Sequence, residues 1–185
     1  MQRKQKKCCS CEELFVPFST LSKACSIPCA MKKAKADAVD KTAKVNAREK
    51  LWFKARDTNL QKRIAQKYFN ESIRVRDRDL GCISCDKGKD WQGQWHAGHF
   101  LSVGARPDLR FNEHNCNKQC SRCNNFLSGN VGPYRVALIS KIGLEAVEAL
   151  EREGQPKRYR VEDFLQITAE SKAKTKLMKL EAENE

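Results

Sequence analysis

Histidine is scarce in this chain, with three in 185 residues, and aromatic side chains make up only 8% of it. No apolar run approaches the roughly 20 residues a helix needs to cross a bilayer, which excludes a spanning segment and a membrane partner. The opening Met-Gln-Arg-Lys-Gln-Lys-Lys leads into no apolar stretch, so no secretory signal is expected and the protein reads as soluble and cytoplasmic. Glycine and proline are missing between Ala30 and Leu80, where Ala, Lys, Arg, Glu and Gln dominate and nothing interrupts a helix. Acidic residues are outnumbered, 23 to 36, for a net charge of +13. The deficit is concentrated: residues 1–80 hold 20 basic against 9 acidic side chains, residues 81–144 hold 8 against 4, and residues 145–185 hold 8 against 10. An excess placed this way favours a polyanionic partner, most commonly nucleic acid, over a merely solvated basic surface.

Cysteine, by contrast, is plentiful at ten residues. In a reducing compartment, paired thiols are metal ligands more often than disulfides. Cys82 with Cys85 and Cys120 with Cys123 form two Cys-x-x-Cys turns, each able to give two sulfurs to one tetrahedral Zn²⁺. All three histidines, His96, His99 and His114, lie between these pairs. A second set, Cys8 and Cys11 with Cys25 and Cys29, brackets Phe15, Pro17 and Phe18. That is enough for a small zinc ribbon whose folding energy would come mainly from its metal. Cys9 is spare and stands as an alternative ligand to Cys8.

The fold expected is α+β, in four stretches. A zinc-ribbon-like module covers residues 1–30 and a basic helical region residues 31–80. A zinc-stapled finger with its following helix covers 81–153, and a charged helical tail covers 154–185. Leu60, Ile64, Tyr68 and Ile73 recur near helical spacing and are expected to pack on the finger. Gly81 should stop that helix just before Cys82. Within the finger, Trp91–Phe100 and Leu109–Phe111 read as β segments, and the second cysteine pair should open a helix that breaks at Ser128-Gly129-Asn130. An amphipathic helix is expected from Tyr134 to Glu153, carrying Val136, Leu138, Ile139, Ile142, Leu144, Val147 and Leu150 inward. The basic helix has two open readings, a solvated linker or a rod laid along DNA phosphates through Arg48, Lys50, Lys54, Arg56, Lys62 and Arg63.

Gly98-His99-Phe100, then Asn115, then Cys120 and Cys123 followed directly by Asn124, together resemble the HNH endonuclease pattern in an HNN form. That resemblance implies a ββα-metal finger that hydrolyses phosphodiesters with a divalent cation. It assigns His99 as general base, since an imidazole with an ordinary pKa near 6.5 is neutral at working pH and can take a proton from water. It assigns Asn115 to orient the His99 ring and Asn124 to offer a neutral oxygen to a hard cation such as Mg²⁺. The residue before the base is usually an Asp or His ligand, and here it is Gly98. His96 is the substitute, and its imidazole shifts the preference towards Mn²⁺. His114 would contact phosphate.

The segments IRVRDRDLGCISC, AGHF, LRFNEHN, NKQCSRCN, SGN and PYRVALISKIGLEAVE resemble the NinG (Rap) recombination proteins of lambdoid phages, closely over residues 70–150. The resemblance implies a structure-selective endonuclease acting on branched or single-strand-containing DNA, such as Holliday junctions and D-loops, in the cytoplasm of a phage-infected host. A homodimer would suit the two-fold symmetry of such a junction. Two other readings stay open. One is a zinc-stapled DNA-binding accessory protein without catalysis, supported by the missing ligand at Gly98. The other is a structural zinc protein that docks a partner through the helix at Tyr134 to Glu153.

Overall fold

The stretch without glycine or proline is not one helix but two, because Asp57 ends the first and caps the second. Helix α1 runs Ile27–Arg56 and α2 runs Thr58–Arg76. Asp57 is extended (φ −72°, ψ 104°) and its carboxylate accepts the Leu60 N–H at 3.0 Å, the bond of an N-cap. The structure, a computed structural model, describes residues 4–154 and 157–184. The chain divides into two units, Met1–Ala55 and Arg56–Glu185. No helix among the described residues is long and apolar enough to cross a membrane.

In the first unit, β1 (Lys6–Lys7) pairs antiparallel with β2 (Leu14–Phe15), Lys6 opposite Phe15 and Lys7 opposite Leu14. Glu12, in a left-handed conformation at φ 63°, turns the chain between them. Helix α1 begins Ile27-Pro28, where proline's missing N–H costs nothing. None of its 30 residues is buried. Met31, Val39, Val45 and Leu51 are all exposed, and the i,i+4 pairs Lys33–Asp37 (2.5 Å) and Lys44–Asp40 (2.7 Å) each add a few tenths of a kcal/mol.

The second unit is built around a hairpin. Strand β3 (Trp95–His99) pairs antiparallel with β4 (Cys116–Cys120), with Trp95 opposite Cys120, His96 opposite Gln119, Gly98 opposite Asn117 and His99 opposite Cys116. Alternation along a strand sends residues 95, 97, 99, 116, 118 and 120 to one face and 96, 98, 117 and 119 to the other. The first face packs on α2, where Phe69 and Ile73 meet Cys116, Ala97 and Phe111. The second receives Tyr134 of α3 (Val131–Ile142). Beside the hairpin, Phe100, Leu109, Tyr134, Leu138, Val147 and Leu150 form the main apolar core, each large side chain stabilising the fold by about 1.5–3 kcal/mol.

Several expected elements shift. Leu109–Phe111, expected as a strand, instead continues from a single 3₁₀ turn at Pro107–Leu109, where the Arg110 and Asn112 N–H groups donate back to the Pro107 and Leu109 carbonyls rather than to a ladder. The second strand lies instead at Cys116–Cys120. The second cysteine pair opens only one π-type turn, Arg122–Phe126, before Ser128, Gly129 and Asn130 take φ values of 49°, 86° and 48°. The amphipathic helix is divided at Gly143 into α3 and α4 (Leu144–Glu151), because φ 87° there is reached freely only by glycine. Val136 and Leu144, expected inside, are exposed. On α2 the buried stripe is Gln61, Ala65, Phe69, Ser72 and Ile73, leaving Leu60, Ile64 and Tyr68 at its margins. The charged C-terminal helix α5 (Val161–Glu183) is packed along α2 and buries Phe164, Thr168, Ser171 and Thr175. The Thr168 and Thr175 hydroxyls donate to carbonyls one turn back, so they are satisfied in a close helix–helix contact.

Candidate metal and nucleic-acid site

Two groups of four cysteines bring all their sulfurs within 4.8 Å of one another: Cys8, Cys11, Cys25 and Cys29 in the first unit, and Cys82, Cys85, Cys120 and Cys123 in the second. A tetrahedron with bonds of about 2.3 Å has sulfur–sulfur edges near 3.8 Å. Cys85 and Cys120 lie 3.8 Å apart, Cys25 and Cys29 3.6 Å, and Cys11 and Cys25 3.5 Å. Both groups could therefore hold zinc. Backbone N–H groups point at the sulfurs, from Cys120 to Cys82 (3.3 Å), from Cys123 to Cys120 (3.5 Å) and from Cys25 to Cys8 (3.4 Å). Burial raises the Cys82 thiol, but the N–H donors of Cys120 and Ser84 outweigh it and bring the pKa to about 7. N–H donors from Cys11, Cys25 and Ser10 lower Cys8 to about 6. Cys8 is buried in its cluster and Cys9 is exposed outside it, which decides between the two. Trp91 and Trp95, edge to face at 5.1 Å, cover the central cluster.

A buried polar network ties α2, the hairpin and α3 together. The Asp77 carboxylate, 2% exposed, accepts from Arg76 (2.9 and 2.7 Å), Lys141 (2.8 Å) and the Lys118 N–H (3.0 Å). Burial works against its ionisation, yet the Arg76 and Lys141 cations hold it below the usual carboxylate range. Asn117 accepts from Arg76 and Lys141 (3.0 and 2.7 Å) and donates to the Tyr134 hydroxyl (3.2 Å). Tyr134 in turn donates to the Gly98 carbonyl at 2.9 Å, next to His99 in the chain.

The structure brings His96 and Asn124 together: His96 Nδ1 is 3.2 Å from the Asn124 side-chain nitrogen. His96 Nε2 is buried without a partner. His99 stands on the opposite face, at the end of β3. Its Nε2–H donates to the Arg110 carbonyl at 2.9 Å, leaving the lone pair on Nδ1, 3.9 Å from the Cys116 thiol. Burial lowers the His99 pKa, so the ring is neutral at pH 7. The expected contact from Asn115 to this ring is replaced by another. Asn115, fully buried, accepts the Leu101 N–H (2.9 Å) and donates to the carbonyls of Leu101 (3.0 Å) and Leu109 (3.3 Å). It braces the loop that leaves His99, and the Arg110 carbonyl takes the orienting role. His114 is exposed on the tight turn into β4.

The basic residues are divided between two helices. Arg48, Lys50, Lys54 and Arg56 belong to α1, and Lys62 and Arg63 to α2, with the Asp57 cap between. Sequence reasoning missed Asp77, Asn117, Gln119 and Tyr134. Asp77 sits in an Arg-Asp-Arg-Asp run that reads as surface charge, and residues 115–120 are all buried although four of the six are polar and the other two are cysteines. The usable signal was a polar run that lies between two sets of metal-ligand spacing and must be satisfied internally.

A family model described as Bacteriophage Lambda NinG protein matches residues 1–181. Among curated proteins, the chain is 50% identical over 112 residues to Protein ninG of Escherichia phage lambda, covering 60% of this chain and 54% of that protein. It is 48% identical to the counterpart of Escherichia phage 933W (60% and 55% covered) and 47% identical to that of Salmonella phage P22 (60% and 54%). The alignments span about half the length of these relatives. No solved structure matches. With all but the last few residues accounted for by one family model, and with the cysteine tetrads and hairpin in place, the chain belongs to the NinG family of lambdoid phages.

Proposed function

We propose that this protein is a metal-dependent DNA endonuclease of HNH-like ββα-metal architecture that cuts branched recombination intermediates in the host cytoplasm. The observation that carries the proposal is the His96–Asn124 corner on a hairpin stapled by four cysteines, with a neutral imidazole, His99, at the strand's end. His96, with Asn124 against its ring, would hold Mg²⁺ or Mn²⁺, and such a cation supplies positive charge against a scissile phosphate. His99 takes the proton from the attacking water at Nδ1, its tautomer set by the Arg110 carbonyl. The exposed basic side chains of α1 and α2 and the exposed His114 attract phosphate, and a homodimer would place two such centres on a two-fold junction. The preference for Holliday junctions and D-loops comes from the family resemblance.

A second reading, a DNA-binding accessory protein without catalysis, is favoured by two details: residue 98 offers no carboxylate, and the His99 ring faces away from His96. One assay separates them. Zinc-loaded protein incubated with labelled four-way junction is expected to yield product only when Mg²⁺ or Mn²⁺ is present. His99→Ala should lower the rate by about 10²–10⁴ while keeping zinc content and junction affinity. His96→Ala should be weaker and partly restored by more Mn²⁺, and His114→Ala mildest. A stable gel shift with no product in any metal selects the accessory reading. An inactive His114→Ala beside an active His99→Ala overturns the assignment of roles.

A further inference from the structure

We infer that Gln119 is a protein ligand of the divalent cation at His96, and that the site takes its cation together with a nucleic-acid phosphate rather than alone; this rests on the nuclease reading above. Two buried side-chain atoms among the described residues have no hydrogen-bond partner, His96 Nε2 and Gln119 Oε1. They belong to residues directly opposite each other in the hairpin, on the same face. Leaving buried polar atoms bare is costly, so two of them on facing residues of one hairpin face point to something that binds both.

Gln119 cannot relieve itself by turning over. Its amide nitrogen donates to the Ser84 hydroxyl (2.7 Å) and the Gly129 carbonyl (2.6 Å). The Gly129 carbonyl can only accept, so the nitrogen must stay there and the oxygen is the bare end. Gly98 completes the arrangement. A Cβ at residue 98 would stand 2.1 Å from Gln119 Oε1 and 3.0 Å from Gln119 Cβ and Cδ. The oxygen thus occupies the space a side chain at 98 would claim, and any carboxylate there would evict it. The missing acid at 98 and the bare carbonyl of Gln119 are two halves of one exchange of ligand between strands.

Asn124 acts from behind the ring. Its amide nitrogen stands 3.2 Å from His96 Nδ1; a cation at Nε2, the unpartnered atom, requires the proton on Nδ1 and therefore the amide turned to set its carbonyl there. The ligands are then an imidazole and an amide oxygen, both neutral. Mg²⁺ and similar cations are held by carboxylates and substrate phosphates, and imidazole favours Mn²⁺. Without a carboxylate, the balancing negative charge has to arrive on the phosphodiester. Cation and DNA therefore bind cooperatively, each raising the other's affinity by the same factor.

With three histidines, the imidazole spectrum of the full zinc-loaded chain contains three sets of signals. Mn²⁺ added below stoichiometry, with a short duplex present, should broaden the His96 ring and the Gln119 side-chain amide before the rings of His99 and His114. Adding the duplex should lower the Mn²⁺ needed by roughly tenfold or more. Gly98→Ala leaves Gln119 intact but displaces its oxygen, and should abolish the selective broadening at unchanged zinc content, as should Gln119→Leu. Wild-type broadening that spares His96 and Gln119, or spreads evenly, overturns the site; an equal Mn²⁺ requirement with and without duplex overturns the cooperativity. Selective broadening in a protein that cuts no junction keeps this site and removes the nuclease reading. Cleavage with broadening elsewhere does the reverse.

Discussion

Replacing Asp77 by asparagine should be among the most destabilising single changes in the second unit. The carboxylate, 2% exposed, neutralises Arg76 and Lys141 and also accepts the Lys118 N–H. Asparagine has the same shape but offers one acceptor and one donor to three donors. Removing one partner of a buried pair costs about 3–5 kcal/mol. The Arg76 and Lys141 side chains keep 27% and 28% exposure, so water recovers part of their charge and the loss should sit at the lower end, about 3 kcal/mol. For a unit of this size that is a fall in Tm of roughly 10 °C. In denaturant the midpoint should drop at unchanged slope. Because the folded carboxylate titrates below the ordinary value of 3.8, its contribution is complete above that value and is lost as the pH falls through the folded value. The gap between wild type and variant should stay constant near neutrality and close in acid; zinc release at low pH affects both proteins and drops out of the difference. Asp79→Asn, whose side chain is 73% exposed, is the control and should change stability by about 0.5 kcal/mol or less. A loss under about 1 kcal/mol for Asp77→Asn at neutral pH would refute the assignment of this residue as the hub.

Elemental analysis should find two zincs per chain, falling to one when residues 1–30 are deleted, with the second unit still folded by circular dichroism. Cys120→Ser should unfold or precipitate the protein, since structural zinc supplies about 10–16 kcal/mol in small peptides; a soluble, zinc-free, active variant would contradict this. Neutralising Arg48, Lys50 and Lys54 together should reduce the slope of log K against log salt by nearly three units if each touches a phosphate, and an unchanged slope makes α1 a linker.

The cysteine tetrads were legible because their spacing is covalent: two residues between paired cysteines, or three between Cys25 and Cys29, bring both sulfurs to one point whatever surrounds them. The helices were legible by propensity, but not where they stop, since Asp57 ends a helix with a single side-chain bond and no special backbone residue. Strand β4 was illegible. Asn117, Lys118 and Gln119 are buried by satisfying hydrogen bonds with Tyr134, with the carbonyls of Arg78 and Leu80, and with Ser84 and Gly129, and none of these partners is near in sequence. The candidate residues His96, His99, Asn115 and Asn124 could be singled out from the motif in advance. Their partners could not, because Arg110 reaches His99 through a backbone carbonyl, which every residue has.

The pairing of α2 with α5 has a consequence for synthesis. Arg78, just past the end of α2, donates to the carbonyl of Met178, 100 residues later, and Lys179 meets Glu71. On the ribosome, the flank of α2 that meets α5, with Tyr68 and Glu71, emerges uncovered and stays so while the hairpin, both Cys-x-x-Cys turns and α3 are made, whereas Phe69 and Ile73 are covered earlier by the hairpin. The unit therefore cannot close vectorially from its N-terminal side. Its middle, with the four-cysteine cluster, can assemble first, and the open flank of α2 is a site for chaperone capture or misassembly until α5 follows. A ribosome stalled before residue 161 would carry a nascent chain with its metal centre ready and its largest helical interface still open to water.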